Sequence, residues 1–331
     1  MNILGIGFLS EASACVISDG RLLAAVSEER LNRRKLWYGF PEAAILEVLS
    51  LSGLSLADID LVATHGFLPS EPSFDPFENK IEAVNSSALP QQEKEEIVRF
   101  LNKRYRHEMF VYHERTPNYL RQVGSLGRQV KVYKHHEAHA ATAFFGSGWD
   151  DCLVMTADGW GEDGSHTFYD CNIGSDGSLK FELCGRSDTI DSLGYFYGSV
   201  TKALGFVPHR HEGKVLGLAA HCPNPKSEKY ISKMVTIDKQ RGGFIGRADL
   251  GYYLPHFDNL KLLQLSRRFS KEDLASGAQN TLEKVVCELL ESKMQKPRKV
   301  ALAGGIFANV KLNQRIAAIE DVLSCYVFPN M

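Results

Sequence analysis

One pattern occurs twice in this chain. Residues 3–26 read as a short apolar strand, a small-residue turn at 7–13, a strand at 14–17, the turn Ser18-Asp19-Gly20 and a third strand at 22–26. The same order returns from Leu153: an apolar strand, a glycine-bearing turn at 158–165, a strand at 166–169, the turn Ser175-Asp176-Gly177 and a strand at 179–183. Asp-Gly between strand-like runs is a strong hairpin signal, because both residues accept the left-handed backbone of a tight turn. A helical pattern follows each triple, at 41–51 and at 192–204, with Pro41 suited to a helix start. This unit, met twice and followed by helices alternating with strands, predicts two related α/β domains around a central cleft. The first turn of each faces the cleft, where small residues let backbone N–H groups approach phosphate oxygens. One such hairpin would mean little; the matched pair carries the inference.

The expected domains are residues 1–148 and 149–331. A largely helical insertion at about 68–130 interrupts the first. It holds Pro69, Pro72 and Pro76, then a charged helical pattern at 91–105 whose charges read as a solvated face. A second insertion, at about 222–268, has no legible role. A helix at 271–294 and a strand at 299–302 follow. With 331 residues, 44% of them hydrophobic, the chain can bury a sizeable core without staples. A net charge of -2 gives no basic excess that would point to nucleic acid. The local run from Arg30 to Lys35 reads as solvated surface, with phosphate contact as the sharper alternative. Seven scattered cysteines with no C-x-x-C spacing argue against a disulfide framework or a zinc knuckle and fit a reducing cytoplasm. No segment approaches the roughly 20 apolar residues of a membrane span, and the first residues do not form a signal peptide.

Three stretches carry chemistry. In His135-His136-Glu137-Ala138-His139 the outer histidines are four apart, which on a helix puts two imidazoles on one face within reach of one metal ion. Asp158 ends the apolar run 152–155 and adds a carboxylate at a strand end. Hydrogen-bonded packing histidines are the plainer explanation of such a pair. Second, Gly304-Gly305 lies between a strand and a helix start, with Asn309 just beyond. That arrangement aims free N–H groups at an anion or nucleotide, although it lacks the spacing of a Walker loop or dinucleotide fingerprint. Third, Glu212-Gly213-Lys214 precedes a glycine-interrupted apolar run and presents either Lys214 to phosphate and Glu212 to a sugar or metal-bound water, or a surface salt bridge.

As a set these residues resemble the NodU/CmcH family of O-carbamoyltransferases. The matching stretches are Leu4-Gly5-Ile6 with Ala12-Ser13-Ala14, Glu28-Glu29-Arg30 through Lys35 to Gly39-Phe40-Pro41, His135-His136 with Ala138-His139-Ala140, and Asp158-Gly159. They continue with Ser192-Leu193-Gly194, Glu212-Gly213-Lys214 with Gly217-Leu218-Ala219, and Ala303-Gly304-Gly305 with Asn309, in order across nearly the whole chain. The resemblance implies two tandem ribonuclease-H-like subdomains of the actin-like ATPase fold, shared with enzymes that place threonylcarbamoyl on tRNA. It implies iron(II) or another divalent metal on His135, His139 and Asp158, and ATP or carbamoyl adenylate held by Ser13, Gly159, Gly304, Gly305 and Asn309. Lys35, Glu212 and Lys214 would sit near acceptor or phosphate.

The implied reaction takes a carbamoyl group, from carbamoyl phosphate and ATP through carbamoyl adenylate, to a hydroxyl of a small, sugar-like acceptor. Where the family carries a His-Asp pair in the first turn, this chain has Ser10-Glu11, and the expected base is a carboxylate, Glu11 or Asp158. The family continues past the point where this sequence stops, with a Gly-Asp loop carrying a further aspartate ligand and an adenylate-forming YrdC-like domain. The expectation is therefore a fragment that retains metal weakly and lacks that domain as a partner, with a homodimer as one option. The alternatives are an ATP-dependent phosphotransferase of the same superfold and a non-catalytic nucleotide- or partner-binding module.

Overall fold

Strand β1 (Asn2–Gly7) pairs antiparallel with β2 (Ser13–Ser18), which pairs antiparallel with β3 (Arg21–Ser27). The chain continues through α1 (Glu28–Asn32) and α2 (Glu42–Ser52) to β4 (Leu61–His65), parallel to β1. It then passes α3 (Pro76–Asn85), α4 (Gln91–Phe110) and α5 (Thr116–Gly124) before β5 (Gln129–Tyr133) pairs parallel with β4. The sheet order is β3-β2-β1-β4-β5. The computed structural model describes residues 1–8, 11–66, 76–110, 115–161, 164–252 and 259–329. Ser10, Pro69 and Pro72 lie outside the described residues.

The second half repeats the plan. Helix α6 (His135–Ser147) leads to β6 (Asp151–Ala157), β7 (His166–Ile173) and β8 (Leu179–Ser187), antiparallel in succession. After α7 (Leu193–Ala203), α8 (Glu212–Ala219), α9 (Glu228–Ile231), the hairpin β9 (Val235–Asp238) and β10 (Gly243–Gly246), α10 (Leu260–Arg268) and α11 (Lys271–Lys293), strand β11 (Arg298–Ala303) pairs parallel with β6. Helix α12 (Val310–Ala317) and β12 (Val322–Val327), parallel to β11, complete the order β12-β11-β6-β7-β8. The two sheets thus share one topology, as the sequence repeat predicts. In the first hairpin Asp19 and Gly20 both have positive φ, 47° and 78°. In the second, Gly177 takes φ 80°.

Contacts divide the chain into two groups, Met1–Ser73 with Arg106–Ala138, and Phe74–Tyr105 with His139–Met331. The sequence reading assigns all of 68–130 to the first half and divides at 148. Burial explains why 74–105 goes the other way. Phe77, Val84, Ile97 and Leu101 pack with Ile190 and Ala248, and Lys80 Nζ meets the buried Asp191 carboxylate at 2.7 Å. One charge of this segment is therefore an interior tie. The second insertion also gains a role: the Phe244 N–H of β10 donates to Ser187 Oγ at 2.6 Å, fastening the β9–β10 hairpin to β8.

The central sheet of the second group is covered on both faces. Cys152 and Val154 of β6 meet Ala140, Ala143 and Phe144 of α6, spaced as one helical stripe. Leu153, Met155 and Ala157 point oppositely into a core with Phe196 and Val200 of α7, Val215 of α8 and Leu282, Val286 and Leu289 of α11. Two-sided burial is why 152–155 reads as an unbroken apolar run. The same packing sets residues 140–144 of α6 against β6.

Candidate metal centre

Alanine and small residues favour helix through 135–147, and Gly148 at φ 69° ends it. The division between the groups falls inside α6, which is one continuous helix. His135 and His139 therefore stand one turn apart on it, while His136 turns inward and is 1% exposed. Asp158 follows the last residue of β6, at the carboxyl end of the sheet, where open α/β sheets collect ligands. His139 Nε2 lies 3.2 Å from Asp158 Oδ2. The ligand atoms of His135, His139 and Asp158 all fall within 4.8 Å of one another. Two imidazoles and a carboxylate are the donor set of divalent first-row metals, iron(II) included, and this one is compact enough to converge on one ion. His139 and Asp158 keep side-chain exposures of 18% and 29%, so the cluster is open to an incoming ligand.

The Asp158 loop is fixed through its main chain. Asp158 N–H donates to the Ser165 carbonyl at 2.9 Å, and its own carbonyl accepts from Ser192 Oγ at 3.0 Å. Ser192 Oγ also accepts from Tyr195 N–H at 3.1 Å and so caps α7. Asp158 Oδ1 takes the Gly159 N–H at 2.6 Å, leaving Oδ2 to His139. Two glycines make room. A Cβ on Gly194 would stand 2.7 Å from Gly159 Cα, and one on Gly304, at φ 103°, would stand 2.4 Å from the Ala157 carbonyl oxygen. A Cβ on Gly305 would lie 3.1 Å from Asp158 Oδ1. The Gly304-Gly305 turn thus abuts the Asp158 carboxylate.

The other expected residues have distinct settings. Asn309 caps α12, accepting from Leu312 N–H at 3.0 Å, and donates through Nδ2 to Gln279 Oε1 at 2.8 Å. Through Gln279 its side chain joins a network with Tyr197. Burial pushes the Tyr197 phenol well above its usual range, so it stays a neutral donor to Gln279. Glu212 Oε1 accepts from His209 N–H at 2.7 Å, and the His209 ring lies 3.9 Å from where a Cβ on Gly159 would be. Lys214 is exposed on α8, its Nζ 5.7 Å over the Phe206 ring. Sequence reasoning did not single out His209, Gln279 or Tyr197; none lies in a motif, and only folding sets His209 near Gly159 and joins Gln279 and Tyr197 to Asn309.

In the first group, Glu11 is exposed at φ 55° and Lys35 is exposed on the loop after α1. The loops that carry them are joined where Ala12 N–H donates to the Trp37 carbonyl at 3.2 Å. Ser13 begins β2, its Oγ 3.2 Å from where a Cβ on Gly7 would stand. Two acids of the 28–35 run have structural work. Buried Glu28 accepts the Ala44 N–H at the start of α2 at 2.7 Å, and Glu29 accepts the Leu36 N–H at 2.8 Å.

The model of the family described as Carbamoyltransferase N-terminus matches residues 2–331. The chain belongs to that family. Among curated relatives, it is 28% identical over 320 residues to nodulation protein NolNO of Sinorhizobium fredii, covering 93% of this chain and 42% of that protein. It is 28% identical over 328 residues to the uncharacterized protein MJ1051 of Methanocaldococcus jannaschii, covering 95% of this chain and 52% of that one. The chain spans about half the length of the curated relatives it matches. Among solved structures, component A of the (R)-2-hydroxyglutaryl-CoA dehydratase of Acidaminococcus fermentans superposes with a TM-score of 0.50 at 12% identity, covering 99% of this chain and 92% of that one. That likeness places the family member in the actin-like ATPase fold. Among the described residues no helix is long and apolar enough to cross a membrane.

Proposed function

We propose that this chain carries the transfer site of an O-carbamoyltransferase, moving carbamoyl from carbamoyl adenylate to a hydroxyl of a small, sugar-like acceptor. The observation that carries the reading is the convergence of His135, His139 and Asp158 beside the Gly304-Gly305 turn, in a chain of the carbamoyltransferase family. These three side chains would hold iron(II) or another divalent metal. Such an ion, when bound, supplies Lewis-acid polarisation of the carbamoyl oxygen.

The chain's own groups answer the remaining demands. The acceptor oxygen attacks the carbamoyl carbon, the bond from that carbon to the adenylate phosphate oxygen breaks, and AMP leaves. A carboxylate, Glu11 or Asp158, takes the acceptor proton. Backbone N–H groups of the Gly304-Gly305 turn bind the leaving phosphate, the Gly159 N–H being held by Asp158 Oδ1. Lys35 and Lys214 offset phosphate or acceptor charge, and Glu212 positions the His209 loop.

The test is an assay of the intact protein with carbamoyl phosphate, ATP and a panel of hydroxylated acceptors. Carbamoylated product that disappears with His135→Ala and with His139→Ala is expected. Unchanged turnover in both variants, or acceptor phosphorylation without carbamoyl phosphate, would overturn the reading.

A further inference from the structure

Folding gathers four cations from three stretches of sequence at one groove of about 470 Å³ in the second group. Lys226 precedes α9, Lys229 lies on it, Arg268 ends α10 and Lys284 stands on α11. All four are exposed. Among the described residues, none of the four forms an ion pair, because the nearby acids are engaged elsewhere. Glu228, the acid in the groove lining, accepts from Asn280 Nδ2 at 2.7 Å. Asp273 takes the main-chain N–H groups of Lys226 and Ser227 at 2.9 and 2.8 Å. On α11, Glu283 pairs with Arg315 at 3.5 Å and Glu288 with Lys239 at 3.6 Å.

One of these cations is held in place by aromatic rings. The Arg268 guanidinium carbon stands 5.1 Å over the Tyr230 ring and 5.2 Å over the Phe269 ring, and the two ring centroids are 5.7 Å apart. Lys229 Nζ lies 5.2 Å over the same Tyr230 ring. A guanidinium stacked on its faces keeps its N–H edge for an anion, and that fork fits phosphate oxygens two at a time.

We propose that this groove binds a diphosphate group. The guanidinium fork takes one phosphoryl group, and the lysines act as point charges on the other. The Ser232 hydroxyl, also in the lining, is a further donor. A single tetrahedral anion would leave part of this positive lining unmatched, whereas two linked phosphoryl groups carry the charge and the span to meet it. The volume lies within the roughly 300–1,000 Å³ of small-ligand sites. With 38 basic and 40 acidic side chains in the whole chain, the positive field is confined to the groove and does not extend along a surface as nucleic acid would require.

The experiment is calorimetric titration of this chain with inorganic diphosphate, inorganic phosphate and methyl diphosphate, at fixed ionic strength and without divalent metal. Diphosphate is expected to bind at least about tenfold more tightly than phosphate. Arg268→Gln and Lys284→Gln should each weaken it about tenfold while thermal melting without ligand stays unchanged. Methyl diphosphate bound as tightly as diphosphate assigns the groove to a group carried on a larger molecule; its exclusion assigns the groove to the free ion. No diphosphate binding, equal affinity for phosphate and diphosphate, or full diphosphate affinity in both variants would overturn the proposal. The readout uses neither metal nor carbamoyl donor, so it stands or falls apart from the transferase reading.

Discussion

His139 and Asp158 meet at 3.2 Å, although 18 residues lie between them in the chain, because α6 packs its apolar stripe on the strand that Asp158 terminates. Both are partly accessible, so their mutual attraction is worth little by itself. Asp158→Asn should therefore change stability without metal by less than about 1 kcal/mol. With cobalt(II) added, the parent protein should melt at a higher temperature through binding to the folded state, and Asp158→Asn should gain much less. Paired melting curves with and without cobalt check this.

The approach of Gly194 to Gly159 is closer than any other side chain allows. Gly194→Ala places a methyl 2.7 Å from Gly159 Cα, so backbone must move. The expected loss is about 1–3 kcal/mol, as for overpacking. Because the displaced backbone is the Asp158 loop, metal affinity should fall as well. Gly213→Ala, where nothing lies near the added carbon, is the control and should do neither. Chemical denaturation of the two variants side by side gives the comparison.

The Lys80–Asp191 pair ties α3 to the loop between β8 and α7. Asp191 is only 3% exposed, and burial raises its carboxyl above the usual range despite the lysine and the Gly246 N–H that favour its charge. Lys80→Ala leaves that carboxyl buried without its cation and should cost about 3–5 kcal/mol, whereas Lys80→Met combined with Asp191→Leu should recover much of the loss. A double-mutant cycle by urea denaturation measures both.

His166 sits between Phe168 and Phe244, at ring distances of 4.7 and 4.8 Å, and burial pushes its pKa down to about 3. The unfolded chain binds this proton near pH 6.5. From there down to about pH 3 the unfolded state holds a proton that the folded state refuses, so stability falls with pH by up to about 1.4 kcal/mol per unit. Above pH 6.5 the group contributes no slope. His166→Gln should flatten this part of the curve of melting temperature against pH. An equally steep curve in the variant would contradict the assignment.

The repeated strand pattern was legible because its signals are local: alternation, Asp-Gly turns and a polar break after each triple. The His135–His139 spacing was legible for the same reason, since helix geometry converts four residues into one face. The grouping of 74–105 with the second sheet was not. Lys80 looks like any surface lysine until Asp191, more than a hundred residues later, lies beside it. The settings of Glu28 and Glu29 were likewise not legible, because nothing in their spacing reveals the N–H groups of Ala44 and Leu36. Asn309 is expected beside the nucleotide, and only the structure shows that its side chain caps α12 at Leu312 and bonds to Gln279. His209 reaches the Gly159 neighbourhood only through the left-handed turn at φ 63° that Glu212 stabilises.

The most direct test is a cobalt(II) titration of the chain followed by visible absorption, for the parent protein, His135→Ala and His139→Ala. Saturable spectral change at one site, weakened at least tenfold in each variant, is the predicted result, with about 1.4 kcal/mol as the equivalent smallest loss. An identical titration in a variant lacking both imidazoles would show that the metal, if bound, sits elsewhere, and the proposed centre would fall with it.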